Sequence, residues 1–232
     1  IIIGRRPEER GVVATASYEA RKFGIHSAMS TNAALKLCKD LIIVKPDFDK
    51  YEHISKQLYK IYLDYTDIIE KVALDECYLD VTNSSSPTII AADIKKRVRN
   101  ELSLTASAGV SINKLLAKIC SDYKKPDGLT VVPPDKVAEF IKMIPIKDIN
   151  GVGEETCKMI KKLNLGTYCG DFYRYDLIRM IDYFGSFGEK LYYYIRGIDD
   201  REVISSHKLK SIGSEKTLNT DTDNINYLKN II

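Results

Sequence analysis

The chain has 232 residues, 44% of them hydrophobic and 29% charged, which is enough apolar mass for a buried core and excludes a disordered polymer. Its length exceeds that of a typical single domain, so two or more folding units are expected. The net charge of +3 permits a nucleic-acid partner without demanding one, and no run approaches the roughly 18 apolar residues of a membrane span, so no membrane partner is expected.

Five cysteines make an odd number with no C-x-x-C pair, the usage of small buried residues in a reducing compartment. Three scattered histidines argue against a zinc site. The first 45 residues lean basic through Arg5, Arg6, Arg10, Arg21, Lys22, Lys36, Lys39 and Lys45, a pattern usually met on a solvated surface.

The chain opens on Ile1-Ile2-Ile3-Gly4, a core-strand run, as if entered in mid-fold. Residues 11–17, GVVATAS, read as a short buried strand. YEARKFG follows as a helical turn closed by Gly24. STNAALKLC is a helix with Ser30 or Thr31 as its N-cap, and LIIVKP is a strand ended by Pro46. From Asp47 to about Thr66, Ile54, Leu58, Ile61 and Tyr62 recur at helical spacing.

EKVAL and CYLDV read as strands flanking Asp75 and Glu76, in the manner of a hairpin. SPTIIAADIKKRVRNEL is a helix, LTASAGVS a strand, NKLLAKICSDYKK a helix stopped by Pro126, and GLTVV a strand before Pro133 and Pro134. This order predicts an α+β sheet with helices on one face. Residues 135–203 show helices only: DKVAEFIKMI, GEETCKMIKKL, DLIRMIDYF and GSFGEKLYYYIRG. SSHKLKSIG returns to a strand-like pattern, and NINYLKNII ends the chain inside a helical one; both ends read as those of a fragment.

Three constellations carry candidate chemistry. Asp75 and Glu76, placed at a strand-to-strand turn, can converge on one point and so hold a hard divalent ion; a plain turn dipeptide is the other reading. Gly151-Val152-Gly153 between two helices lets backbone N–H groups approach a phosphate, with Lys158, Lys161 and Lys162 adding charge; a helix packing corner is the other reading. Tyr18 and Arg21, three apart on a helical turn, with Lys124 or Lys125 of DYKKPDG, can clamp a triphosphate; an amphipathic surface helix is the other reading.

Together these segments resemble the Y-family, lesion-bypass DNA polymerases, and most closely their bacterial DNA polymerase IV branch. VVATASYEARKFGIHSAMS is similar to the fingers motif of that family and ALDECYLDVT to its catalytic palm hairpin, with Cys77 where alanine is more usual. LTASAGVSINKLLAKICSDYKKPDGLTVV is similar to the next palm block. INGVGEETCKMIKKL resembles the thumb helix–hairpin–helix, with Asn150 where proline is common, and LKSIGSEKTL resembles the entry to the little finger domain.

The resemblance implies an α+β, right-hand architecture with a mixed or antiparallel palm sheet and an all-α thumb. Fingers would occupy residues 1–45, palm 46–134, thumb 135–203, and a linker with the start of the little finger 204–232. It implies template-directed nucleotidyl transfer from dNTP to a primer 3′-hydroxyl, with primer–template DNA as partner, two Mg²⁺ ions (Mn²⁺ able to substitute) and a bacterial cytoplasmic setting. A sliding clamp would be engaged through a region outside this chain.

By the same resemblance Asp75 and Glu76 are metal-binding and catalytic. Tyr18, Arg21 and Lys125 meet the triphosphate with Thr15 as a lesser contact, and Val12 and Ala14 line the nascent base pair. Gly151, Gly153, Lys158 and Lys161 meet DNA. The third acidic residue of the family lies in an N-terminal strand that nothing in residues 1–17 resembles. A non-catalytic relative that binds DNA is therefore the rival expectation.

Overall fold

Val13 and Ala16 are buried at the two ends of a short strand whose middle residues are exposed, and they anchor the core of the first part of the computed structural model. The structure describes residues 1–84, 86–206, 211–213, 215, 217, 218 and 220–230. By its internal contacts the chain divides into two units, Ile1–Tyr51 with Lys208–Ile232, and Glu52–His207.

In the first unit β1 (Ile2–Gly4) is the central strand. It runs antiparallel to β2 (Val13–Ala16), with Ile2 opposite Ala16, and parallel to β3 (Ile43–Val44). Two short helices follow β2: α1 (Tyr18–Arg21), capped by the Ser17 hydroxyl, and α2 (Thr31–Leu37), capped by Ser30. Ile2, Val13, Ala16, Ala20, Ile25, Ala34 and Leu41 form one small core. Buried Thr31 donates to the Arg5 carbonyl at 2.8 Å, so its hydroxyl is satisfied.

The second unit begins within α3 (Phe48–Leu63), whose Ile61 is buried as the helical spacing requires. The hairpin β4 (Ile69–Lys71) and β5 (Cys77–Leu79) comes next, then α4 (Pro87–Leu102), and then β6 (Ala108–Val110), α5 (Lys114–Tyr123) and β7 (Leu129–Val131). β6 and β7 pair in parallel, with α5 as the crossover between them. Helix α5 buries Leu115, Leu116, Ile119 and Cys120 along one stripe. Its first N–H groups are satisfied by Asn113, which accepts from Leu116 at 3.0 Å, and by Asp199, which accepts from Leu115 at 2.9 Å.

Helices α6 (Val137–Lys142), α7 (Glu154–Lys162), α8 (Leu177–Phe184) and α9 (Ser186–Tyr194) follow, with short 3-10 turns at Ile146–Asp148 and Cys169–Arg174, and the last helix is α10 (Ile225–Lys229). Residues 135–203 contain no strand, as their composition predicts. Their core does not stop at the Pro133-Pro134 step: Leu115, Leu116, Ile119 and Cys120 of α5 belong to the same buried cluster as Ile141, Phe172, Met180, Leu191 and Ile195.

One expectation needs correcting. In place of one continuous sheet, the described residues form three small ladders, β2-β1-β3, β4-β5 and β6-β7. Each strand is only two to four residues long. Of the strand expected at SSHKLKSIG, residues 207–210 lie outside the described residues.

Candidate functional site

Lys71 pairs with Cys77, which leaves residues 72–76 as the turn between β4 and β5. The Glu76 carbonyl accepts from Val72 N–H at 3.0 Å and Ala73 N–H at 3.1 Å, closing the tip. Helix α3 supports it: the Ser55 hydroxyl donates to the Leu74 carbonyl at 2.5 Å, and the Lys71 ammonium lies 3.7 Å from the Tyr59 ring centroid. On a regular strand, adjacent side chains point to opposite faces. At this turn Asp75 and Glu76 border the same small recess, together with Ser55, Tyr59, Tyr62 and Cys77. Asp75 is exposed and Glu76 half-buried.

Glu76 meets a cation within the chain. Lys118 of α5 donates to its carboxylate at 2.7 Å and lies 3.6 Å from the Asp122 carboxylate one turn on. Burial by itself would lower the Lys118 pKa, but Glu76 and Asp122 outweigh it and hold the ammonium above its ordinary value. Asp122 in turn pairs with Lys125 at 2.6 Å. A line of alternating charge thus runs from the hairpin through Glu76, Lys118 and Asp122 to Lys125.

Beneath the tip, Tyr62 lies beside the Cys77 thiol. Burial, reinforced by Cys77, raises the tyrosine, and burial pushes the thiol up to about 12. Cys77 therefore packs as a neutral residue.

The remaining nucleotide candidates lie in the first unit. Ala14 and Thr15 are the exposed residues of β2. Val12 sits one residue before that strand, exposed, in an isolated bridge with Ser30. Tyr18 and Arg21 begin and end α1, with Tyr18 half exposed. Arg21 Nε donates to the Ala16 carbonyl at 3.0 Å, which steadies the guanidinium against the end of β2.

The two glycines of the G-V-G turn differ in kind. Gly151 has φ +96°, and a Cβ there would come within 2.8 Å of the Phe187 ring, so backbone and packing both demand glycine. At Gly153 a Cβ would meet nothing within 4 Å, so open space lies before the α7 N-terminus. Lys158 is paired with Glu154 at 3.0 Å and Glu155 at 2.8 Å, and these pairs, Glu155 foremost, raise its pKa. Glutamates in a first helical turn suit the helix dipole, yet they oppose a phosphate approaching the same end. Any DNA contact at Lys158 must displace them, whereas Lys161 is exposed in the last turn.

Lys118 is the residue the sequence reading missed. Its signal was present in K-x-x-x-D, Lys118 and Asp122 at helical spacing, but its partner Glu76 lies 42 positions away. Asp75 and Glu76 supply oxygen donors of the type hard divalent cations take. Among the described residues no three His, Cys, Asp or Glu side chains gather into a metal group, so an ion here would rest on two protein carboxylates.

The same arrangement of elements recurs in solved structures. DinB from Sulfolobus solfataricus superposes with a TM-score of 0.81 at 28% identity, over 87% of this chain and 61% of that one. An insertion ternary complex of Dbh DNA polymerase gives 0.79 at 28% identity, with the same coverages. The fold is that of the Y-family DNA polymerases.

More particularly, the impB/mucB/samB family is matched over residues 1–122, more than half of the sequence, and the chain belongs to it. A DNA polymerase IV of Ralstonia nicotianae is 49% identical over 225 residues, which is 95% of this chain and 63% of that protein. A DNA polymerase IV of Pseudomonas fluorescens is 47% identical, covering 64% of its length. The chain thus spans less than two thirds of the relatives it matches.

Proposed function

We propose that this chain is the larger part of a template-directed DNA polymerase of the low-fidelity, translesion type, adding dNTP to a primer 3′-hydroxyl. The observation that carries the reading is the Asp75–Glu76 turn, two adjacent acidic residues at the tip of a hairpin on a polymerase fold. In this reading residues 1–45 serve as fingers, 46–134 as palm, 135–203 as thumb, and 204–232 lead into the little finger. The setting is the bacterial cytoplasm, in keeping with the bacterial relatives.

Asp75 and Glu76 would hold divalent metal, two Mg²⁺ in the full site, with nucleotide phosphates completing the coordination. Bound there, the ions supply positive charge that stabilises in-line displacement at the α-phosphate. The chain's own groups do the rest. Lys118 holds the Glu76 carboxylate in place from α5. Lys125 reaches the triphosphate by giving up Asp122. Tyr18 and Arg21 add a hydroxyl and a guanidinium, with Thr15 as a lesser contact, and the exposed Val12 and Ala14 offer small side chains to the base pair. Small contacts check pair shape loosely, in keeping with tolerance of damaged templates. Gly153 gives a DNA phosphate access to the α7 N-terminus, with Lys161 nearby. A sliding clamp would act through segments outside this chain.

One observation favours a second reading, a non-catalytic DNA-binding relative: Glu76 already has a cation in Lys118. A single experiment separates the two. In the full-length parent protein, Asp75→Asn and Glu76→Gln should each abolish primer extension while DNA binding persists. Extension retained by both variants would remove the metal assignment, and absence of extension in the unmodified protein would favour the second reading.

A further inference from the structure

Lys125, proposed above to meet the triphosphate, sits in a turn of residues 124–128 between the end of α5 and the start of β7. The turn is folded tightly. Asp127 has φ +52°, and a Cβ on Gly128 would lie 2.1 Å from the Lys124 carbonyl oxygen. Lysines in short exposed turns are usually mobile, and a mobile lysine loses ordering entropy when it grips a ligand. This turn is gripped from outside.

Lys95, midway along α4, has a side chain only 14% exposed. Its ammonium has three N–H donors, and each meets an acceptor: the Ala106 carbonyl at 2.5 Å, the Asp127 carbonyl at 3.0 Å and Asp127 Oδ1 at 2.6 Å. Arg99, one turn further along α4, takes the other carboxylate oxygen, Oδ2. Asp127 therefore gives its main-chain carbonyl and both side-chain oxygens to one helix. On the other side, Gly128 N–H donates to the Ser107 hydroxyl at 3.3 Å, and Ala108 N–H donates to the Gly128 carbonyl at 2.9 Å. The Lys125 side chain is 42% exposed and is held by an ion pair to Asp122.

We propose that Asp127 is a positioning residue for nucleotide binding: clamped by Lys95 and Arg99, it fixes the turn that presents Lys125 to the triphosphate. The inference rests on the polymerase reading and deepens it. An ammonium on a pre-set backbone meets a phosphate at small entropic cost, and displacements near 1 Å at such contacts cost heavily. Releasing the clamp should weaken dNTP binding while leaving the chemical step nearly untouched.

The test uses the full-length parent protein on a dideoxy-terminated primer–template, reading the Kd for the correct dNTP. The kcat with an extendable primer and the Tm are measured alongside. Asp127→Ala should raise Kd roughly 3- to 10-fold with kcat within about twofold. Lys95→Met should act in the same direction, and the double variant should cost less than the sum, since both remove one clamp. Asp127→Asn keeps the Oδ1 acceptor and tolerates the left-handed backbone, so it should fall between Asp127→Ala and the parent. It carries the test if Asp127→Ala does not fold.

Lys125→Ala is run beside them. Where Lys125→Ala raises Kd and the Asp127 and Lys95 variants lower only Tm, the clamp is structural and the inference is overturned. Where Lys125→Ala itself leaves Kd unchanged, the assignment of Lys125 is refuted and the inference falls with it.

Discussion

Gly109 lies in the middle of β6, opposite Thr130 of β7 and directly against α5. An added Cβ would stand 2.0 Å from the Ala117 carbonyl oxygen, 2.4 Å from Ser121 N and 2.7 Å from Cys120 Cβ. Two of those atoms are helix backbone, which cannot rotate aside, so Gly109→Ala must drive α5 and β6 apart by about 1 Å to reach ordinary contact. Helix α5 cannot move freely, because its Leu115 and Leu116 are at most 1% exposed in the core that it shares with the helical segment. Overpacking commonly costs about 1–3 kcal/mol, and the backbone contacts place this case at about 3 kcal/mol or above. For a chain of this size that corresponds to a Tm lower by roughly 6–12 °C.

The consequence reaches the site. Helix α5 carries Lys118 and leads into Lys125, so a shift of that size pulls the Lys118–Glu76 contact away from 2.7 Å, and kcat/KM should fall about 100-fold. Urea unfolding followed by circular dichroism gives the first quantity, and primer extension by the full-length protein the second. An alanine variant whose urea midpoint and extension rate both match the parent would refute the claim that strand and helix are in backbone contact here.

The G-V-G turn supplies a paired test. Gly151→Ala should destabilise by about 1 kcal/mol or more from its positive φ and the Phe187 clash, whereas Gly153→Ala should leave stability within about 0.5 kcal/mol yet weaken duplex binding. Equal DNA affinity for Gly153→Ala and parent in a fluorescence-anisotropy titration would count against a phosphate at the α7 N-terminus. Burial pushes the thiols of Cys77 and Cys169 up to about 12 and that of Cys120 up to about 11. Because an unfolded thiol titrates near about 8.5, the folded state binds these protons more tightly. The stabilisation is complete below that pH and is lost as pH rises toward 11–12. Urea midpoints should therefore fall from pH 8 to 10.5, and a rise over that window would contradict the burial. At pH 8, iodoacetamide should label these three thiols only on unfolding, as mass spectrometry would read; rapid labelling of native Cys77 would place it outside the recess wall.

Sequence alone determined what depends on neighbours a few positions apart. The helix expected from Asp47 to about Thr66, the hairpin around Asp75 and Glu76, the cap expected at Ser30 or Thr31 and the helical run from residue 135 all follow from periodicity and local hydrogen bonding; the structure has the helix at Phe48–Leu63, the hairpin, the cap at Ser30 and the helical run. Tertiary structure decided what depends on groups that meet only after folding. Lys118 finds Glu76 across 42 positions, Lys95 finds Asp127 across 32, and α5 joins the core of the helical segment that follows it. Gly151 and Gly153 look alike in the sequence and are told apart by Phe187, a distant ring. Local backbone preference is written into short stretches of chain, whereas the pairing of charges is set by distances that many alternative folds of the same stretches would leave open.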